Sequence, residues 1–120
     1  LKELRQKSLR PSPVVYNSAI NACEKGGNHW HWALALLEEM QQLEVLPDTV
    51  NYNSAIAACS TGLQPEQALK LLEEMRLREV KPDVITYSAA ISACEKCGLW
   101  EWALALLGEM ERQGIRPDLP

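Results

Sequence analysis

The sequence has no long run of apolar residues. Its longest runs, at 32–37 and 102–107, are six residues each, whereas a helix needs roughly 20 apolar residues to cross a bilayer. The chain opens on Leu1 without a succession of basic, apolar and small residues, so we expect no signal or transit peptide within it. We therefore expect a protein that does not span a membrane.

Excess positive charge and catalytic constellations are also missing. Lys and Arg number 12 against 16 Asp and Glu, and the formal net charge of −4 produces a field that repels a polyanion. The sequence shows no Ser-His-Asp set, no paired carboxylates expected in a cleft and no glycine-rich phosphate loop, so it offers no candidate catalytic residue. We expect a chain that is not an enzyme and needs no cofactor.

A pattern of about 35 residues repeats through the chain. Residues 16–20, 52–56 and 87–91 read Tyr-Asn-Ser-Ala-Ile, Tyr-Asn-Ser-Ala-Ile and Tyr-Ser-Ala-Ala-Ile, at spacings of 36 and 35 residues. Other positions follow in the same register: Cys23, Cys59 and Cys94; Ala33, Ala68 and Ala103; Met40, Met75 and Met110; Asp48, Asp83 and Asp118, each preceded by Pro. Self-similarity at this period indicates a repeat architecture.

The register divides the chain into repeats at 13–48, 49–83 and 84–118. The first has a one-residue insertion in the stretch 27–29, which we expect in a turn. Residues 1–12 match the end of the second helix of a preceding repeat, and residues 119–120 begin a following one. We expect a piece of a longer array.

Each repeat has apolar residues at helical spacing, interrupted once near its middle. The pattern predicts helices near 15–25, 30–43, 51–61, 65–78, 86–97 and 100–113. Gly26, Gly27, Gly62 and Gly98 are expected to provide left-handed caps after the first helices. Pro47, Pro82 and Pro117 are expected to end the second helices. Hairpins this short bury their apolar faces only by stacking, so the predicted fold is an all-α solenoid.

The cysteines, histidines and tryptophans have structural explanations. The three in-register cysteines should lie roughly 10 Å or more apart on stacked hairpins, too far for disulfides, so with Cys97 we expect free thiols and no metal site. His29 and His31 diverge by about 200° on a helix and do not form a metal pair. We expect Trp30, Trp32, Trp100 and Trp102 to pack between hairpins; the alternative is that they anchor a partner.

The repeat resembles the pentatricopeptide repeat (PPR) of the P type over nearly the whole chain. The residues that carry the resemblance are Val-x-Tyr-Asn-Ser-Ala-Ile, Glu-Lys-x-Gly, Trp-Ala-Leu-x-Leu-Leu-x-Glu-Met and the closing Pro-Asp. The resemblance implies a right-handed α-solenoid of stacked antiparallel hairpins. It also implies that single-stranded RNA binds along the first helices, one nucleotide per repeat, in organellar RNA metabolism of a plastid or mitochondrion.

The resemblance also assigns site residues. The base-reading pairs are Asn17 with Asp48, Asn53 with Asp83, and Ser88 with Asp118, which imply a preference for 5′-U-U-G-3′. The side chains that sandwich bases are Val14, Val50 and Ile85, and those that face phosphates are Lys25 and Lys96, with Thr61 replacing the lysine of the middle repeat.

Two alternatives stay open. The Asn, Ser and Asp residues could simply occupy helix first turns and loop ends, roles in which they are common. The chain could also be a helical scaffold that holds a protein partner within a large organellar complex, which suits its acidic charge. A solvent-open groove that exposes Asn53, Asp83 and Lys96 would favour RNA.

Overall fold

The computed structural model describes residues 12–25 and 29–115, which form six α-helices of equal length. They are α1 (Pro13–Lys25), α2 (Trp30–Gln42), α3 (Thr49–Thr61), α4 (Pro65–Leu77), α5 (Val84–Lys96) and α6 (Trp100–Arg112). Those two ranges contain no strand. Six helices were predicted at these places, and the observed bounds differ from the expected ones by at most two residues.

The helices form two layers. The first helices of the three hairpins, α1, α3 and α5, pack side by side, and each second helix packs on the first helix of its own hairpin. The second helices α2 and α4 also contact the first helix of the next hairpin. The predicted all-α solenoid of stacked hairpins is therefore confirmed, while its right-handed sense stays a prediction.

The Pro-Asp pairs start helices rather than end them. The Oδ1 of Asp48 accepts the backbone N–H of Asn51, and the Oδ1 of Asn51 accepts the N–H of Asp48, both at 2.9 Å. Asp83 and Thr86 form the same reciprocal cap at 3.0 Å in each direction. Such caps satisfy N–H groups that the first turn leaves unpaired, so α3 and α5 begin two residues earlier than expected.

The second helices α2 and α4 end at Gln42 and Leu77, one residue short of the expected ends and ahead of Pro47 and Pro82; Pro117 lies outside the described residues. After each helix one residue takes a left-handed conformation: Glu44 (φ 61°), Glu79 (φ 60°) and Gly114 (φ 76°). The following N–H then donates back to the methionine carbonyl, from Val45 to Met40, Val80 to Met75 and Ile115 to Met110. These bonds satisfy the last-turn carbonyls.

The glycines at the ends of the first helices have two different roles. Gly98 is left-handed with φ 73°, as predicted, but Gly62 has φ −83° and the left-handed residue there is Leu63, φ 59°. A Cβ on Gly62 would overlap the ring of Trp30. Glycine at 62 therefore allows a close approach between hairpins, and the left-handed assignment there was wrong. Gly26 and Gly27 lie outside the described residues.

Buried tyrosines join the two layers within each hairpin. The hydroxyl of Tyr16 donates to Glu39 at 2.8 Å, Tyr52 to Glu74 at 2.7 Å and Tyr87 to Glu109 at 2.9 Å. Each tyrosine is at most 1% exposed, and a buried hydroxyl needs a partner. The same glutamates link neighbouring hairpins, because Gln41 donates to Glu74 at 2.8 Å and Arg76 forms an ion pair with Glu109.

The cysteines are free thiols, of which Cys59 and Cys94 are buried and Cys97 is exposed. Burial raises the pKa of the Cys59 thiol to about 12. Of the tryptophans, Trp30 packs against the core, whereas Trp32, Trp100 and Trp102 are more than half exposed. The expectation that all four pack between hairpins is right for Trp30 and wrong for the other three.

Candidate nucleic-acid interface

The side chains expected to sandwich bases lie in the first turns of α1, α3 and α5 and are exposed. Val14, Val50 and Ile85 are 73%, 53% and 59% exposed, respectively. Large apolar side chains that are exposed to this degree contribute little to the core. Three of them in equivalent positions on adjacent helices form an apolar row open to solvent.

The helices α1 and α3 enclose a cleft of about 150 Å³ at one end of this row. We call the contact of α1 with α3 the first junction, and that of α3 with α5 the second junction. The cleft at the first junction is lined by Pro13, Val14, Asn17, Asp48, Val50 and Asn51. It thus unites two candidate sandwiching residues with one complete candidate reading pair, whose members stand at opposite ends of the first repeat in the sequence.

At the first junction a hydroxyl and a helix cap hold the reading pair. The Oδ1 of Asn17 accepts a hydrogen bond from the Ser54 hydroxyl at 2.9 Å. The Oδ1 of Asp48 accepts the backbone N–H of Asn51, whose own Nδ2 donates to the carbonyl of Pro13 at 3.1 Å. Asp48 is exposed and Asn17 half-buried, so both can be reached from the cleft.

At the second junction the two reading residues contact each other. The Nδ2 of Asn53 donates to the Oδ1 of Asp83 at 3.1 Å, and the Oδ1 of Asn53 accepts from the hydroxyl of Thr86. Asn53 is 9% exposed, whereas Asp83 is exposed. The pair is therefore assembled, but most of the amide is covered by protein.

The Asp83 carboxyl is stabilised in its charged form. Burial by itself would raise its pKa, but hydrogen bonds from the backbone and side chain of Thr86, from Asn53 and from the backbone of Ile85 outweigh that effect, so the pKa lies below its ordinary value. Hydrogen bonds donated to a carboxylate favour its ionised form. Asp83 is thus a permanent acceptor near neutral pH.

The third candidate pair is only half described. Ser88 lies on the exposed face of α5, beside Ile85, whereas Asp118 lies outside the described residues. The geometry of this pair stays a prediction.

The candidate phosphate contacts lie at the far ends of the first helices. Lys25 and Lys96 are exposed in the last turns of α1 and α5. At the same place on α3, the Thr61 hydroxyl donates to the carbonyl of Ala57 at 3.1 Å. Each lysine follows a glutamate in the sequence, Glu24 or Glu95, so the row adds little net positive charge.

Sequence reasoning missed Ser54 and Thr86, the two hydroxyls that contact the asparagine amides. Thr86 follows Asp83 by three residues, the spacing of a capping box, and Ser54 follows Asn53 directly. Those patterns predict local bonds, whereas the observed contacts reach the first helix of the preceding hairpin, 33 and 37 residues away.

Metal-binding clusters and membrane-spanning helices are absent from the described part of the chain. Within it, no group of three or more His, Cys, Asp or Glu side chains could hold a metal ion. None of its helices is long and apolar enough to cross a membrane.

Family models agree with the repeat pattern. A model of the PPR repeat matches residues 14–45 and 85–115, and a model of the PPR repeat family matches residues 47–96. Together they cover most of the sequence. The chain belongs to the PPR repeat family. A search of curated protein sequences found no match.

Solved structures of PPR proteins are similar to this chain. The maize protein PPR10, and PPR10 in complex with an 18-nt psaJ RNA element, are 36% identical with a TM-score of 0.86; the match covers 98% of this PPR chain and 17% of PPR10. The PPR domain of Arabidopsis thaliana protein-only RNase P 1 in complex with tRNA has a TM-score of 0.83 at 17% identity, over 97% of this chain and 61% of that one. The second likeness shows the fold alone. The chain spans about a sixth of the length of PPR10.

Proposed function

We propose that this PPR chain binds single-stranded RNA selectively along α1, α3 and α5, with one nucleotide at each repeat. The observation that carries the proposal is the cleft at the first junction, where Val14 and Val50 accompany Asn17 and Asp48. Apolar side chains on two neighbouring helices suit the faces of a base, while an amide and a carboxylate suit its polar edge. The 36% identity with PPR10, solved with RNA, supports the same use of the repeats.

The proposed register follows the repeats at 13–48, 49–83 and 84–118. Asn17 with Asp48 and Asn53 with Asp83 would each take uracil, because an amide offers both a donor and an acceptor and the carboxylate accepts a ring N–H through water. Ser88 with Asp118 would take a purine, mostly guanine. The proposed preference is therefore 5′-U-U-G-3′, with Ile85 against the third base and Lys25 and Lys96 near phosphates.

The charge of the chain limits its affinity. With a net charge of −4, little sequence-independent attraction to phosphates is available. Stacking contributes about 1–3 kcal/mol per base, so three bases give weak binding. We propose a binding role, without catalysis, within organellar RNA stabilisation, processing, translation or editing.

A protein partner is the second candidate, and the exposed tryptophans favour it. Trp32 and Trp102 lie on the second helices, away from the base-reading row, and are 57% and 55% exposed. Trp102 lines a cleft of about 240 Å³ between α4 and α6, together with Leu69 and Leu106. Exposed tryptophans are frequent anchors at protein interfaces, and this surface would serve a scaffold that holds a protein of a large organellar complex.

Fluorescence anisotropy with short labelled RNAs tests the RNA proposal. At low salt we expect tighter binding to an RNA carrying U-U-G than to the same RNA carrying C-C-A. Asn53→Ala should weaken binding and reduce the preference at the second base only. Lys70→Ala, an exposed change on α4, is the control and should leave both unchanged. Binding that ignores base identity, or no binding, would contradict base reading and direct the search to the tryptophan surface.

A further inference from the structure

We propose that Thr86 is a positioning residue that fixes the orientation of the Asn53 amide, so that the second junction discriminates uracil from cytosine more strongly than the first. The inference rests on the proposed RNA-reading function and assigns a specificity role to a residue outside the reading pairs. Thr86 is fully buried, three residues after Asp83 in α5, and its hydroxyl reaches back to Asn53 on α3.

One end of the Asn53 amide is fixed by charge. Its Nδ2 donates to the Oδ1 of Asp83 at 3.1 Å, and a carboxylate can only accept. If the amide turned over, its oxygen would face the carboxylate oxygen and the hydrogen bond would be replaced by repulsion. The Asp83 carboxyl stays ionised near neutral pH because its pKa is lowered.

The other end is fixed by the hydroxyl of Thr86. That oxygen accepts the backbone N–H of Asp83 at 3.0 Å, so its single proton is available to a neighbouring acceptor. It lies near both the Oδ1 of Asn53 and the Oδ1 of Asp83. Since Asp83 already receives N–H groups from Asn53 and Thr86, the proton is best used on Asn53. The amide oxygen therefore has a donor at a fixed position.

A fixed amide presents one free N–H and one free lone pair in a set arrangement. Uracil offers a carbonyl acceptor beside a ring N–H donor, whereas cytosine offers an amino donor beside a ring nitrogen acceptor. The same amide can read either base only by turning over. Fixing the amide at both ends therefore converts a tolerant reader into a selective one.

The first junction lacks this arrangement. Among the described residues Asn17 makes no hydrogen bond to Asp48, and its Oδ1 is held by the Ser54 hydroxyl at 2.9 Å. A hydroxyl can donate or accept, so turning the Asn17 amide requires only that the hydroxyl rotate. The residue in the position of Thr86 is Asn51, whose side chain bonds to Asp48 and Pro13 instead.

The experiment compares dissociation constants for U-U-G, C-U-G and U-C-G RNAs by fluorescence anisotropy. We define the penalty as the factor by which the dissociation constant rises when cytosine replaces uracil. For the unmodified chain we expect this penalty to be about tenfold larger at the second base than at the first, which corresponds to one net hydrogen bond. Thr86→Val should reduce the second-base penalty toward that of the first base without reaching it, because Asp83 still accepts from the Asn53 amide. Thr86→Ser, which keeps the hydroxyl, should retain it. Ser54→Ala should leave the first-base penalty within about twofold.

Circular dichroism checks that each variant keeps its helix content. Equal penalties at the two bases in the unmodified chain, or an undiminished second-base penalty in folded Thr86→Val, would overturn the inference while leaving RNA binding intact.

A second readout separates the inference from the proposed function. In ¹⁵N spectra, the side-chain amide protons of Asn53, which is buried and donates to Asp83, should exchange with solvent more slowly than those of Asn17, and Thr86→Val should reduce the difference. If the unmodified chain binds no RNA, the proposed function and the specificity role both fail, and slow Asn53 exchange would then show a purely structural contact. Equal exchange at both asparagines would show that Thr86 does not fix the amide.

Discussion

The two junctions have the same candidate reading pair, Asn with Asp, and hold it differently. Asn17 and Asp48 are neighbours in a cleft without a direct bond, whereas Asn53 and Asp83 are bonded to each other and to Thr86. The difference arises outside the pair, because Ser54 at the first junction corresponds to Ala89 at the second, and Asn51 corresponds to Thr86. Identical reading residues therefore need not give identical binding sites.

The junctions also differ at the opposite ends of the first helices. Gly62 gives space to the Trp30 ring, while the equivalent position at the second junction is Cys97, which is exposed. Pro65 occupies the position equivalent to Trp30. A large residue facing a glycine in the first case is thus replaced by two residues of intermediate size in the second.

The largest expected effect is on the packing of Trp30 against Gly62. Gly62→Ala should lower the free energy of unfolding by about 1–3 kcal/mol, because the new Cβ overlaps the Trp30 ring and a packed contact tolerates extra volume poorly. Urea denaturation measures the change. Cys97→Ala, at the equivalent exposed position, should change it by less than about 0.5 kcal/mol.

A double variant identifies the cause. In a Trp30→Ala background the added methyl of Gly62→Ala should have almost no effect, since its obstacle is gone. An equal loss in both backgrounds would assign the effect to the backbone of the helix end and contradict the packing explanation.

A charge change tests the bond between the reading residues. The Asn53 amide donates to Asp83, which lies 30 residues later in the sequence. Asn53→Asp replaces that donor with a second carboxylate. We expect a loss of about 1–2 kcal/mol of stability at pH 7, since a hydrogen bond is lost and two like charges are adjacent. Asn17→Asp at the first junction should lose less.

The pH dependence sharpens this comparison. The excess loss in Asn53→Asp should diminish as the pH falls through about 4, where carboxylates of ordinary pKa become protonated and the repulsion disappears. Urea denaturation at pH 7 and near pH 4 measures both variants. Equal losses for Asn17→Asp and Asn53→Asp at pH 7 would show that the two junctions are electrostatically alike.

The smallest expected effect concerns the candidate phosphate positions. Thr61 on α3 occupies the position that is Lys25 on α1 and Lys96 on α5. Thr61→Lys should strengthen RNA binding a few-fold at low salt and steepen the dependence of log affinity on log salt by about 0.7, the value for one added single-strand contact. Gln42→Lys, exposed on α2, adds the same charge on the other layer. An equal gain in both variants would indicate a general charge effect rather than a phosphate position.

Much of the fold was predictable, and the reasons are local. The spacing of apolar residues predicted six helices because a helical face repeats every three or four residues. The starts of α3 and α5 were placed two residues late, because Asp48 and Asp83 cap these helices, and the role of Gly62 was missed because it depends on a tryptophan of the preceding repeat. The exposure of Trp32 and Trp102 was missed because helical periodicity does not say which helix faces receive a neighbour.

The candidate site was predictable in its members and not in its geometry. Asn17, Asp48, Val14 and Val50 were named from the repeat register, and they meet in one cleft. Ser54 and Thr86 were not assigned to the site, since each contacts an amide on the first helix of the preceding hairpin.

The repeat period, the helices and the family follow from the order of residues along the chain, because helical hydrogen bonds and caps form between residues three to five apart. Which groups the Asn17 and Asn53 amides contact, and whether a tryptophan is packed or exposed, follows from how neighbouring helices lie against each other. Those contacts join residues more than 30 positions apart, and their distances depend on the packing of whole helices rather than on any local pattern.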